Sequence, residues 1–169
     1  MRTTYADALS GFVIEDEDLT EDSCFYKDGL KFECKRCSDC CRISPGYVYL
    51  SKNDLTNLCN WFKIDEEGFI QKYCRWVQYY GAREALCLLE KKNYDCILWE
   101  NGCTAYGARP IQCSTYPFWP WILKSREAWD SEARDCKGMN CGALHSAREV
   151  EGQKFLYEHN APITRQLSM

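Results

Sequence analysis

The spacing of apolar side chains changes several times along the chain, and each change predicts an element. Leu55, Leu58, Cys59 and Phe62 recur at the three- and four-residue intervals of an amphipathic helix, and Ser51 with Asp54 ahead of them has the form of a capping box. The spacing predicts a helix entered at Ser51. A second helix is predicted from about Asp65 to Tyr80, with Phe69, Ile70, Tyr73, Cys74 and Val77 on one face and Glu66 and Glu67 at its positive N-terminal end. The runs Tyr47 to Leu50, Ala85 to Glu90 and Cys96 to Trp99 are short, apolar and bounded by Gly, Asn, Asp or Pro, so they read as strands. Gly107, Pro110, Pro117 and Pro120 break regular structure from Gly102 to Pro120, predicting a loop pinned by something other than backbone ladders. Trp121 and Ile122 read as a further strand, and a weak helical pattern runs from about Ala143 to His159. Residues 1–23 are polar and acidic and read as a lead-in without a motif.

These elements predict an α+β fold: one small domain over residues 24–169, with two or three helices and a few short strands. A length of 169 residues suits that, since one core is usual up to about 250 residues. The net charge of -4 and the pI near 5.3 argue against a nucleic-acid partner, which would require a basic surface. No window approaches the roughly 18 apolar residues of a membrane span, and the acidic stretch Glu15 to Asp22 stands where a signal sequence would carry its apolar core. The expected compartment is the cytosol, with no membrane partner.

Thirteen cysteines alter this bland picture. Their odd number, the expected reducing compartment and a chain long enough to fold without staples favour metal binding over disulfides. The run Cys34-Lys-Arg-Cys37-Ser-Asp-Cys40-Cys41 is the most specific signal. Two residues between cysteines let a tight turn aim both sulfurs at one ion about 2.3 Å away, as metal knuckles require. Cys40 and Cys41 are adjacent, so their side chains are expected to diverge and to serve two ions or one polynuclear cluster. Further donors follow in Cys96, Cys103, Cys113 and Cys136, giving eight expected metal ligands: Cys34, Cys37, Cys40, Cys41, Cys96, Cys103, Cys113 and Cys136. Eight thiolates with two divalent ions leave an anionic cluster, and Lys35, Arg36, Arg42, Arg109, Arg134 and Lys137 lie near the ligands in sequence to offset it.

From Cys34 to Gly138 the chain resembles the CxxCxxCC family of zinc- or iron-chelating domains. The resemblance is carried by the cysteine run, Cys96-Ile-Leu, Cys103-x-x-Tyr106-x-x-Arg109-Pro110-x-x-Cys113, Tyr116-Pro117 and Cys136-x-Gly138. Ser38 departs from it, standing where glycine is expected. The resemblance implies metal binding and no particular reaction. The all-sulfur knuckle spacing favours zinc, while Cys-x2-Cys-x2-Cys also opens the ferredoxin run, which keeps iron and an iron–sulfur cluster open. Two or more zinc or iron ions are therefore the expected cofactors and partners. Three function classes follow: a protein that stores, senses or delivers metal; an iron–sulfur or metal-dependent enzyme of oxidoreductase or transferase type; and a zinc-stabilised interaction module. An enzyme needs an open coordination position and a neighbouring acid or base, and the sequence shows no such pair.

The other cysteines have plainer readings. Cys59 and Cys74 fall on helical apolar stripes and Cys87 within an apolar run, so core packing accounts for them. Cys24 and Cys141 are undecided. His145 and His159 read as surface residues of the C-terminal helix. Arg109 is placed to face either the thiolates or a carboxylate. Tyr106, Tyr116, Phe118, Trp119 and Trp121 read as a shield around the metal.

Overall fold

The computed structural model describes residues 24–42 and 46–167, so the predicted lead-in over residues 1–23 lies outside the described residues. The fold is α+β. In chain order the elements are strand β1 (Leu30–Phe32), helices α1 (Lys52–Phe62) and α2 (Glu66–Tyr73), strands β2 (Cys74–Gln78) and β3 (Arg83–Leu88), helices α3 (Ile111–Thr115) and α4 (Arg126–Ala133), strand β4 (Met139–His145), helix α5 (Ala147–Glu158) and strand β5 (Thr164–Gln166). Single 3-10 turns form at Asp39–Cys41 and Tyr106–Ala108. Among the described residues no helix is long and apolar enough to cross a membrane.

Two compact units share the chain. The residues up to Glu33 join Pro117–Phe155 in one, and Cys34–Tyr116 join the residues from Leu156 onward in the other. In the first, β1 pairs antiparallel with β4, and the register shifts between Lys31 and Phe32. Gly142 permits this pairing: its φ is +76°, and a Cβ there would stand 2.2 Å from the Cβ of Glu33. Trp129 is fully buried with Leu30, Phe118, Ile122, Met139 and Val150, and its indole N–H donates to the Asn140 side chain at 2.8 Å.

In the second unit β3 is the middle strand of an antiparallel β2-β3-β5 sheet. Leu50, Leu55, Leu58, Cys59, Phe69, Cys74, Leu86, Leu88, Leu98 and Ala105 form its core. Helix α1 begins as its sequence predicts: the Ser51 hydroxyl accepts from the Asp54 amide at 3.1 Å, and the Asp54 carboxylate accepts from the Ser51 amide at 3.0 Å. The second predicted helix stops early. Asp65 caps α2, but at Cys74 the backbone turns extended (φ -123°, ψ 162°) and the chain becomes β2. Trp76 and Val77 are good strand formers, and a partner is at hand in β3, so ladder pairing outweighs the helical spacing.

The remaining predicted strands fare unevenly. Ala85 to Glu90 overlaps β3. Tyr47 to Leu50 runs beside it without becoming a full strand, through Leu50 N–H to Leu86 O and Leu88 N–H to Val48 O, both 3.0 Å. Cys96 to Trp99 makes two isolated bridges, Cys96 with Glu90 and Trp99 with Cys103. Trp121 and Ile122 lie in a turn leading to α4, which Ser125 caps through the Ala128 amide. The predicted loop from Gly102 to Pro120 contains the short helix α3, and α5 occupies most of the predicted C-terminal helix behind a Ser146–Glu149 capping box.

Candidate functional site

The cysteine run owes its shape to two residues in the left-handed region, Arg36 (φ 53°) and Ser38 (φ 67°), one inside each Cys-x-x-Cys step. The serine that replaces the expected glycine thus adopts the backbone that glycine would favour. The chain then closes a turn, Cys41 N–H to Ser38 O at 2.9 Å and Arg42 N–H to Asp39 O at 3.0 Å. Cys34, Cys37 and Cys40 are exposed and Cys41 is half-buried.

Adjacent side chains were expected to diverge, and here they do not: the Cys40 and Cys41 sulfurs are 4.0 Å apart. Two sulfurs on one tetrahedral zinc, each about 2.3 Å from it, are separated by about 3.8 Å, so the turn brings neighbouring thiols close to a shared-ligand distance. Either thiol can donate to the other. The hydrogen bond with Cys41, assisted by Arg109, pulls the Cys40 thiol down to about 7, while the same bond and burial push Cys41 up.

Three tethers fix distant cysteines, the first of them to this turn itself. The Cys96 amide donates to the Cys41 carbonyl at 2.9 Å. One residue further on each strand of that contact, Arg42 Nε donates to the buried Asp95 carboxylate at 3.2 Å, and the Arg42 guanidinium stacks 4.2 Å above Trp99. Asp95 also accepts from Asn93 at 2.7 Å. The second tether holds Cys103: Thr104 donates to Leu98 O through its amide (2.9 Å) and hydroxyl (2.7 Å), and Trp61 Nε1 donates to Thr104 O at 2.9 Å. The third holds Cys113 in α3, whose first amide, Ile111 N–H, donates to the Asp54 carboxylate at 2.9 Å. Gln112 adds bonds to the backbone of Tyr47 and Tyr49.

The thiols of Cys40, Cys96, Cys103 and Cys113 lie within electrostatic reach of one another. Burial raises Cys96, Cys103 and Cys113, Cys113 well above the ordinary thiol range, and neighbouring cysteines raise each further. Arg109 opposes this at Cys40, Cys103 and Cys113. Its Nε donates to Tyr106 O at 3.1 Å, and it stacks 3.9 Å over the Tyr106 ring. Of the two roles open to it in sequence, Arg109 therefore faces the thiols. Soft sulfur donors, one of them readily ionised, are chemically suited to zinc or to iron in a cluster. Among the described residues no group of three or more His, Cys, Asp or Glu side chains is arranged so that it could hold a metal ion.

Seven of the eight expected ligands, Cys34, Cys37, Cys40, Cys41, Cys96, Cys103 and Cys113, belong to the second unit, and Cys136 belongs to the first. There Cys136 N–H donates to Glu132 O at 3.0 Å, and the Cys141 thiol donates to Lys137 O at 3.3 Å. Cys59, Cys74 and Cys87 are buried, with burial pushing Cys74 up to about 12 and Cys87 to about 11. The predicted aromatic shield needs correction: Phe118 is buried in the first unit, stacked 6.1 Å from Trp129, and Trp121 is 49 % exposed. His145 lies on β4 rather than a helix, its ring 3.1 Å from Phe32 O. The sequence reading missed the bond of Asp54 to α3, Asp95, Trp61 and the cation–π contacts at Tyr106; the signals present were the capping box and the adjacency of Arg42 and Asp95 to cysteines. No family model matches the chain, and no solved structure matches it.

Proposed function

We propose that this chain is a cytosolic metal-binding protein of the CxxCxxCC type, holding two or more zinc or iron ions, with an iron–sulfur cluster as the alternative form, through thiolates led by Cys40, Cys41, Cys96, Cys103 and Cys113. The single observation supporting this most is the tether between Cys41 and Cys96, which joins residues far apart in sequence through a 2.9 Å backbone bond beside the ion pair of exposed Arg42 with buried Asp95. Structural effort of that kind is not needed to bury an ordinary small side chain. Cys34 and Cys37 share the run.

Metal would draw these thiols the remaining distance into a coordination sphere, releasing their protons and adding its binding energy to folding. The test is oxygen-free purification, elemental analysis and a visible spectrum. Two or more zinc ions per chain without colour, or iron with labile sulfide and colour, supports the proposal and chooses the metal. A folded, fully reduced chain that stays free of both metals after reconstitution refutes it.

A further inference from the structure

We propose that Arg36 and Arg109 form a binding site for a small oxyanion, a phosphate or a carboxylate, beside the cysteine cluster. The proposal deepens the metal-binding reading and rests on it only for what the bound anion would adjoin.

Both guanidinium carbons lie over the same Tyr106 ring, that of Arg36 at 4.4 Å and that of Arg109 at 3.9 Å from its centroid. The two like charges are therefore no farther apart than the sum of those distances, an arrangement that repels itself. Ring attraction offsets part of this repulsion. Among the described residues neither arginine has a carboxylate partner, although Arg42, Arg75 and Arg165 each have one. Arg36 is exposed, and its left-handed backbone is an uncommon conformation for a residue with a side chain.

A guanidinium held over a ring by cation–π attraction keeps N–H donors that the ring cannot satisfy. Among the described residues Arg109 commits only Nε, to Tyr106 O. Two forks beside one ring thus offer several directed donors and two positive charges, which is the requirement for charge-assisted, bidentate recognition of phosphate or carboxylate. The anion would stand next to thiols on which Arg109 already acts, placing it where it could serve as a further ligand to a metal bound there.

The test is an NMR titration of the full-length chain, reduced and loaded with zinc, following the side-chain Nε–H signals of its arginines. Inorganic phosphate is added in one arm and malonate in another, with sodium chloride at matched ionic strength as control. Saturable shifts of Arg36 and Arg109 in either arm, absent with chloride, are expected, and the responding arm identifies the oxyanion. Arg36→Gln is expected to weaken binding about ten- to a hundredfold, the loss of charged hydrogen bonds, with Arg36→Lys recovering only part of it because lysine lacks the fork. Arg36 is exposed, so these variants test the site even where Arg109→Gln fails to fold. Signals that stay still in both arms, that follow chloride equally, or that persist unchanged in Arg36→Gln overturn the proposal. Zinc content measured on the same sample separates the two ideas: an arginine response in a chain that refuses zinc refutes the metal reading alone, and silent arginines in a zinc-loaded chain refute the anion site alone.

Discussion

The Asp54 carboxylate accepts the Ile111 amide at 2.9 Å, so the residue that completes the capping box of α1 also holds the first amide of α3, 57 positions later. Its other oxygen accepts from the Ser51 amide and hydroxyl and from the Asn160 side chain at 2.8 Å. Asp54 is buried. Removing it leaves several inward donors unpaired at once, so Asp54→Ala should cost about 2–4 kcal/mol in urea unfolding. Because α3 carries Cys113, the same variant should also lose zinc to a chelator faster than wild type; equal retention would separate the cap from the cluster.

Gly107 and Trp61 make a second, steric relationship. A Cβ at Gly107 would meet two Trp61 ring carbons at 2.9 Å, closer than real Cβ contacts come. Gly107→Ala should therefore cost about 1–3 kcal/mol, as overpacking does. In a Trp61→Ala background most of that penalty should vanish. A double-mutant cycle measures the difference, and additive effects would show that the ring simply moves aside.

Arg42 and Asp95 hold the turn of the cysteine run against Cys96. With Arg42→Ala the buried Asp95 carboxylate keeps only part of its bonding, and a loss of about 1–3 kcal/mol is expected. Asp95→Asn, which keeps the shape but not the charge, should be milder. If metal content falls in step with stability in Arg42→Ala, the pair positions the thiols; metal content that stays at the wild-type level would contradict this.

Thiol reactivity should follow ionisation. At pH 7.5, iodoacetamide should label Cys40 before Cys74 or Cys87 in the metal-free native chain, with peptide mass spectrometry following each site. The two buried thiols also set a stability limit at high pH. Their folded-state values, about 12 and about 11, lie above the ordinary value of 9.0, so the unfolded chain ionises first. Their contribution is whole below about pH 9 and is lost as pH climbs toward those values. Denaturation midpoints should drop over that range, and less steeply in Cys74→Ala.

The metal readout has its own internal control. Cys113→Ser should lower bound zinc or iron, whereas Cys59→Ala, in the core, should lose about 1 kcal/mol of stability and no metal. Equal metal loss from both would contradict the ligand assignment.

How far the sequence could be read depended on how local each determinant is. The start of α1 was legible because Ser51, Asp54 and the apolar stripe all lie within one segment. Cys74 to Gln78 was not, since its conformation is decided by β3 pairing across a turn, and helical spacing alone cannot register a waiting partner. The short edge strands β1 and β5 carry too few residues for any period to show. In the candidate site, the cysteine motifs singled out Cys40, Cys41, Cys96, Cys103 and Cys113 from sequence alone, but the closeness of the Cys40 and Cys41 sulfurs goes with the left-handed Ser38, which no pattern of residue types reveals. Asp54 was visible as a cap and invisible as the anchor of α3, because that second role is made by tertiary folding.

The β3 strand takes one of its two partners from β5, and Ile163 both donates to Leu50 O and accepts from the Leu86 amide at 2.9 Å. A ribosome making this chain releases Cys34 through Tyr116 well before it releases Ile163. Through that interval the sheet has an open edge, the Leu86 amide lacks its acceptor, and Asp54 still awaits Asn160. The nascent thiols are thus presented to solvent, to oxidants and to any metal donor before the scaffold that gathers them can be sealed. Synthesis itself therefore leaves these thiols accessible before the sheet closes.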